Sequence, residues 1–260
     1  FPMADSFDHV GPLARCAYDA GIMLNAIAGS DSNDPTASNA PVPDYTANCM
    51  SNIKGLKIGL PENYVQAGAS ADVVDAWAST AKLFQALGAS LQVIEYPESS
   101  QAINDWHTIA AAETALSHRS SYPAERDQYG PVLAAFLETG RGINALALAE
   151  ASIRRIGYRE QVSALFQNVN LYLIPVLGGC VPTTGEWQSL AGADFAPYLQ
   201  YTIPTDMTGE PTMTFPVGFD ANGSPIVMQL CGPHFSEALL CQVVAEFQRL
   251  TDWHTYHPED

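Results

Sequence analysis

The sequence predicts an α/β fold with one mixed sheet, in a single domain spanning residues 1–260. Three features carry that expectation. Residues 56–94 read as strand, helix, strand, the pattern of a parallel crossover. An Asn222-Gly223 step between two β-prone runs marks an antiparallel hairpin. Long Ala-rich helical stretches lie between these two regions.

Taken in order, the first element is a helix. Leu13, Ala17, Ala20, Leu24 and Ile27 recur at spacings of four and three, one face of a helix, and Gly29 is placed to end it as a left-handed cap. Residues 30–44 are rich in Ser, Asp, Asn and Pro, and the Asp34-Pro35 step disfavours helix, so they form a loop. Residues 56–60 are a short strand stopped by Pro61. Val73, Trp77, Ala81, Phe84 and Leu87 stripe a helix that opens near Ser70 and closes at Gly88, and residues 91–94 return as a strand parallel to the first.

Residues 101–119 and 143–166 have few breakers and read as helices, with turn chemistry over 122–131. Residues 171–174 are a buried strand halted by Pro175 and followed by a Gly178-Gly179 loop. Residues 181–205 show no period. Runs 212–215 and 226–230 flank the hairpin turn, and Leu240, Val243, Val244, Phe247 and Leu250 stripe a last helix.

Composition narrows the function. Hydrophobic residues make up 47% and charged residues 15% of the 260 positions. A domain of that size buries roughly 75% of its unfolded surface. The net charge of −17 repels phosphate backbones and anionic lipid, which argues against nucleic-acid and membrane partners. No apolar run approaches the ~18 residues that span a bilayer. Cys16, Cys49, Cys180, Cys231 and Cys241 are odd in number and scattered, which fits reduced core thiols and a cytoplasmic protein. The start at Phe1-Pro2-Met3 reads either as preceded by further polypeptide or as Met3 being the initiator.

Several catalytic patterns fail. There is no G-x-S-x-G nucleophile elbow and no P-loop, and Gly140-Arg141-Gly142 lacks a third glycine and follows a helix. His254 and His257 have no partner at metal-ligand spacing, and His107 and His118, eleven residues apart, read as core or rim residues. No metal and no cofactor is expected. A lysine base must lose its proton near neutral pH, which needs burial or a neighbouring cation. The only lysines, Lys54, Lys57 and Lys82, lie off the apolar stripes and away from any Gly-rich, Ser-bearing loop. No catalytic residue is assigned within the chain.

Three segments together resemble the amidase signature family. They are Asp5-Ser6-Phe7-Asp8-His9-Val10-Gly11-Pro12-Leu13-Ala14-Arg15, then Gly55-Leu56-Lys57-Ile58-Gly59-Leu60-Pro61 with its helix and Leu87-Gly88-Ala89, and a long C-terminal set. That set runs from Tyr201-Thr202-Ile203-Pro204 through Thr208-Gly209-Glu210-Pro211, Phe215-Pro216-Val217-Gly218-Phe219-Asp220, Gly223-Ser224-Pro225 and Gln229-Leu230-Cys231-Gly232 to Trp253-His254. The resemblance implies an α/β/α fold around a mixed sheet. It also implies amide hydrolysis by a serine linked through a cis-peptide serine to a lysine, without a cofactor.

In that family the nucleophile lies upstream of the segment resembling Asp5–Arg15. The resemblance therefore casts this chain as a C-terminal portion that lacks the triad and supplies sheet scaffold and one wall of the substrate pocket. It implies substrate contacts from Trp106, Leu177, Gly178, Tyr201 and Ile203, with plain core packing as the alternative for Trp106, Tyr201 and Ile203. The implied partners are a small-molecule amide, and the N-terminal part of the amidase or a second chain. A homo-oligomer, or a non-catalytic partner subunit or pseudoenzyme of the same fold, is the alternative. The family's glutamine-dependent amidotransferase subunits grip glutamine with an arginine and an aspartate. The similar regions here, Leu133-Ala134-Ala135-Phe136 and Tyr198-Leu199-Gln200-Tyr201, lack those charges, so a less polar or aryl amide is expected. A chain without the family's N-terminal elements is also expected to expose apolar surface and sheet edge that favour association.

Overall fold

A computed structural model describes residues 2–34, 36–179, 181–189 and 196–257. Phe1, Pro35 of the predicted loop and Cys180 lie outside the described residues, as does part of the aperiodic stretch 181–205. In chain order the first elements are α1 (Ala17–Ile27), β1 (Lys57–Leu60), α2 (Glu62–Gly68), α3 (Ala71–Ala86), β2 (Ser90–Val93), α4 (Ser100–Ser117), α5 (Pro131–Gly142) and α6 (Ala145–Ser163). There follow β3 (Leu171–Pro175), α7 (Thr184–Ser189), α8 (Ala196–Leu199), α9 (Ile203–Thr208), β4 (Thr212–Phe219), β5 (Pro225–Cys231) and α10 (Glu237–Gln248).

These elements divide into two compact units that interleave in sequence. A helical unit comprises Phe1–His9, Pro97–Ser163 and Val181–Gly209, and a sheet unit comprises Val10–Tyr96, Ala164–Cys180 and Glu210–Asp260.

The sheet is mixed, as the sequence predicts, with strand order β2-β1-β3-β5-β4. β1 is parallel to both β2 and β3, and β5 is antiparallel to β3 and β4. β3 lies at the centre, and all five of its residues are buried. Its unbroken Leu-Tyr-Leu-Ile run is the composition of a strand covered on both faces. From α3, Trp77 reaches this strand and donates its Nε1–H to the Leu173 carbonyl at 2.8 Å. Phe84 of α3, Phe215 of β4 and Phe247 of α10 meet with ring centres 5.0–6.1 Å apart, tying three elements into one core.

The structure differs from the expected elements at several ends. α1 starts at Ala17, where the Cys16 Sγ accepts from the Asp19 N–H, so Leu13 precedes the helix and is 95% exposed. The buried face of α1 is made of its small residues, Ala17 and Gly21. A Cβ on Gly21 would come within 3.1 Å of the Thr46 methyl, so the larger stripe residue Ile27 is left outside. Its cap is an extended Ala28 and not a left-handed Gly29. Leu250 falls beyond α10 and is exposed.

The hairpin loop is longer than a two-residue turn. The Asp220 carboxylate accepts the Asn222 and Ser224 N–H groups at 2.8 Å, which leaves Gly223 to take the positive φ of 78°. α5, which Pro131 opens, is additional to the predicted elements, lying between the two expected helices. So are α2 and the short helices α7, α8 and α9, which at four to seven residues are too short to show a period.

In the helical unit, α4 packs against α5 and α6. Asp105 of α4 is 2% exposed and takes both Nε (2.9 Å) and Nη2 (2.7 Å) of Arg154 on α6. A buried carboxylate requires such a partner. His118, one of the two histidines read as core or rim, is buried with Nδ1 3.0 Å from the Tyr129 hydroxyl. At the α4–α5 crossing, a Cβ on Gly140 would run into the backbone carbonyl of Ala111. Backbone cannot yield as a side chain can, so Gly140→Ala must push the helices apart. Loss of about 3 kcal/mol or more is expected, read as a lower urea midpoint for unfolding of the helical unit.

Candidate functional site

The two chemistries most often sought in such a chain can be tested on side-chain placement. A lysine base needs a desolvated amine. Lys57 opens β1 and Lys82 lies on the outer side of α3, and these two and Lys54 are all exposed. Burial pushes the Cys241 thiol up to about 12 and raises Cys231 further, the opposite of what an activated nucleophile needs. Among the described residues no group of three His, Cys, Asp or Glu side chains is placed to hold a metal ion.

In the helical unit the polar focus is Asp206. Pro204 lies in the first turn of α9, Gly209 caps its end at φ 81°, and Ile203, Pro204, Thr205, Met207 and Thr208 are buried. Asp206 is the one residue of α9 left half-exposed. Its carboxylate accepts the Trp106 indole N–H at 2.5 Å and lies 4.0 Å from His9 Nδ1. Burial raises its pKa, and Trp106, His9 and Arg155 pull against that rise.

Arg155 of α6 completes the group. Its Nε–H donates to the Met207 carbonyl at 2.7 Å, and its terminal nitrogens donate to the Ser6 hydroxyl (2.8 Å) and carbonyl (2.9 Å). The guanidinium lies 4.1 Å over the Phe7 ring, whose centre is 6.0 Å from that of Trp106. The arrangement fastens segment 4–9 to α4, α6 and α9 through one cation and one carboxylate.

Of the residues implied as substrate contacts, three lie in this unit. Trp106 is half-buried and bonded to Asp206, while Tyr201 (0% exposed) and Ile203 (2%) are packed in the interior. Burial pushes the Tyr201 phenol up to about 12.

Leu177 and Gly178 belong to the sheet unit, half-buried in the loop that leaves β3. The Gly178 carbonyl accepts the N–H of Ser70, the cap of α3, at 2.6 Å. This loop leaves the carboxyl end of the parallel strands, where open α/β sheets place their ligands. The segments leaving β1 and β2 bring further polar groups to that end. The Asn63 amide donates to the Tyr96 carbonyl (2.9 Å) and accepts its N–H (3.1 Å), and Tyr64 stacks on Tyr96 at 4.5 Å.

Asp206, Arg155 and Asn63 are not among the residues that sequence reasoning singled out. The available signal was a lone charge within the apolar 203–208 run and a guanidinium on an Ala-rich helix.

Comparison with known proteins gives a consistent picture. The family profile described as Amidase matches residues 1–241. AmiD of Mycobacterium tuberculosis is 31% identical over 259 residues, 98% of this chain and 54% of AmiD. A glutamyl-tRNA(Gln) amidotransferase subunit of Neisseria meningitidis is 33% identical over 286 residues, covering 98% of this chain and 58% of that subunit. A bacterial aryl acylamidase structure superposes with a TM-score of 0.79 at 22% identity, over 94% of this chain and 53% of that one. The chain thus spans about half the length of the curated relatives it matches.

The raised Asp206 carboxyl has a pH consequence. The folded state holds this proton to higher pH than the unfolded chain, so ionised Asp206 subtracts from stability above its folded pKa. That loss is recovered as pH falls through the folded pKa. Asp206→Asn can still accept from Trp106. It is expected to be at least as stable as the unaltered protein at pH 7, with its relative advantage shrinking toward pH ~4. Denaturant midpoints of both proteins across that range check the sign.

Proposed function

The chain belongs to the amidase family, and on that footing we propose that it serves amide-bond hydrolysis without carrying the bond-breaking groups itself. It supplies sheet scaffold and part of the substrate pocket. The serine and lysine that act on the amide sit on polypeptide outside these 260 residues, either joined to this chain or as a second chain. The observation that carries this reading is the exposure of Lys54, Lys57 and Lys82. A lysine base needs an amine taken out of water or set beside another cation, and exposure provides neither.

Two features support a neighbouring polypeptide. Val10 and Leu13 are 91% and 95% exposed within one short segment, an apolar surface that favours cover. The relatives are close to twice as long as this chain.

For substrate contact, the reading rests within the helical unit on Trp106 and, separately, within the sheet unit on Leu177 and Gly178, each of which keeps accessible surface. Tyr201 and Ile203 act behind that wall as packing. The substrate class is a less polar amide. Residues 133–136 present no charged group to hold an amino-acid substrate, and Leu133 and Ala134 are instead part of an apolar cluster with Tyr122 and Leu137. The Neisseria relative is by name one subunit of an amidotransferase, which supports a partner chain; a non-catalytic partner subunit or pseudoenzyme is the second reading.

Two measurements separate these. The protein assembled with its remaining polypeptide is expected to hydrolyse 4-nitroacetanilide faster than glutamine, and the 260 residues alone neither. Replacing all three lysines by alanine is expected to change that rate by no more than about twofold. A loss of about a hundredfold or more in the triple variant would mean a base lies within the chain. No hydrolysis by the assembly on any amide would favour the non-catalytic subunit.

A further inference from the structure

In the helical unit α4 and α6 border an open cleft of about 360 Å³. Ser152, Arg155, Ile156 and Arg159 line one wall, at the spacings of a single helix face, and Ile109 and Glu113 of α4 line the other. Ser6 lies at the cleft as well, giving its N–H to the Glu113 carboxylate at 2.9 Å.

The cations of this cleft are arginines of α6. α6 carries three arginines within six positions. Arg154 is spent on Asp105, with two nitrogens on one carboxylate. Arg155 and Arg159, one turn apart, make no ion pair among the described residues, although their guanidiniums are close enough for Arg159 to disfavour the charge on Arg155. The hydrogen bonds of Arg155 use three of the five N–H groups a guanidinium offers. Glu113 is the one carboxylate of the lining against these two guanidiniums, and Asp206, outside the lining, also acts on Arg155 through space. Between the charged groups the lining is apolar, with Ile109 buried and Ile156 63% exposed beside the arginines.

We propose that this cleft binds a small monocarboxylate with an aliphatic tail, its oxygens held between Arg155 and Arg159 and its tail on Ile109 and Ile156. One carboxylate placed between the two guanidiniums relieves their repulsion, and their planar forks suit its two oxygens. The Ser6 hydroxyl, which accepts from Arg155, keeps its own proton to donate to it, while Ser152 gives its proton to the Leu148 carbonyl. A phosphate would satisfy the arginines but would leave the isoleucine surface in water, and it would bring a second negative charge against Glu113. The assignment does not depend on the amidase reading, because none of these residues is given a part in hydrolysis.

Calorimetric titration of the full natural chain with 4-methylpentanoate tests this, with 4-methylpentanamide and acetate as controls for charge and tail. Saturable binding of 4-methylpentanoate is expected below about 10 mM, with the amide and acetate each about tenfold weaker or more. Arg159→Gln changes an exposed residue, so the fold is expected to persist by circular dichroism. It is expected to weaken 4-methylpentanoate by about tenfold while leaving amide hydrolysis unchanged. Equal binding of acid and amide, undiminished binding by the Arg159→Gln protein, or no saturation below about 10 mM would each overturn the assignment. A failed hydrolysis assay would leave these binding results unaffected, so the two readings fall separately.

Discussion

Burial of β3 on both faces is the constraint on which the sheet unit rests. A strand with no solvent-facing side can hold no charge and must find partners for its polar backbone along both edges. The sequence Leu171–Pro175 meets the first demand, and the parallel β1 and antiparallel β5 meet the second. Trp77 adds a donor from above the sheet to the Leu173 carbonyl, so α3 is fixed to the sheet by direction as well as by packing. Because β1 and β3 run the same way, the loops carrying Asn63 and Gly178 are delivered to one end of the sheet. The same pairing that buries the core therefore places the candidate pocket residues.

The helical unit is held differently, by close backbone approach and by compensated charge. Gly140 lets α5 settle on the Ala111 carbonyl, and Asp105 can be buried on α4 because α6 presents Arg154 to it. Asp206 is the less settled carboxylate. It has Trp106 as a firm donor, but Arg155 is committed to Ser6 and Met207 and helps it only through space. That difference in pairing explains why burial wins at Asp206 and its carboxyl is raised. It also separates Arg154, spent on one buried carboxylate, from Arg155, which fastens segment 4–9 and still keeps two N–H groups beside the cleft.

Much of the sheet was legible from the sequence because its signals are local. The strand–helix–strand run and the hairpin each lie within about forty residues, and alternation or helical spacing shows which face is buried. The stripe of α1 held in its middle, where Ala17 is buried and Leu24 packs on Tyr45, Cys49 and Cys241, and failed at its ends, where Leu13 and Ile27 are exposed. The polar group around Asp206 was not legible for a different reason. Ser6 and Arg155 are 149 residues apart, and Trp106 and Asp206 are 100 apart. No spacing rule connects such positions. A resemblance can point to Trp106 as a residue of interest, but it does not reveal that its indole N–H is already given to a carboxylate.

That indole bond bears on what kind of wall Trp106 can form. With Nε1 committed to Asp206, the ring offers a ligand its apolar surface and no donor. Leu177 contributes only hydrocarbon, and Gly178 has its carbonyl engaged by Ser70. Residues of this kind favour a substrate by shape and by apolar area, and they exclude water. They cannot polarise an amide carbonyl or carry its proton. Charge stabilisation and proton transfer, which supply most of the rate in acyl transfer, must then come from groups of another kind. On the proposed reading, residues of this kind would select and hold an amide while groups on other polypeptide cut it.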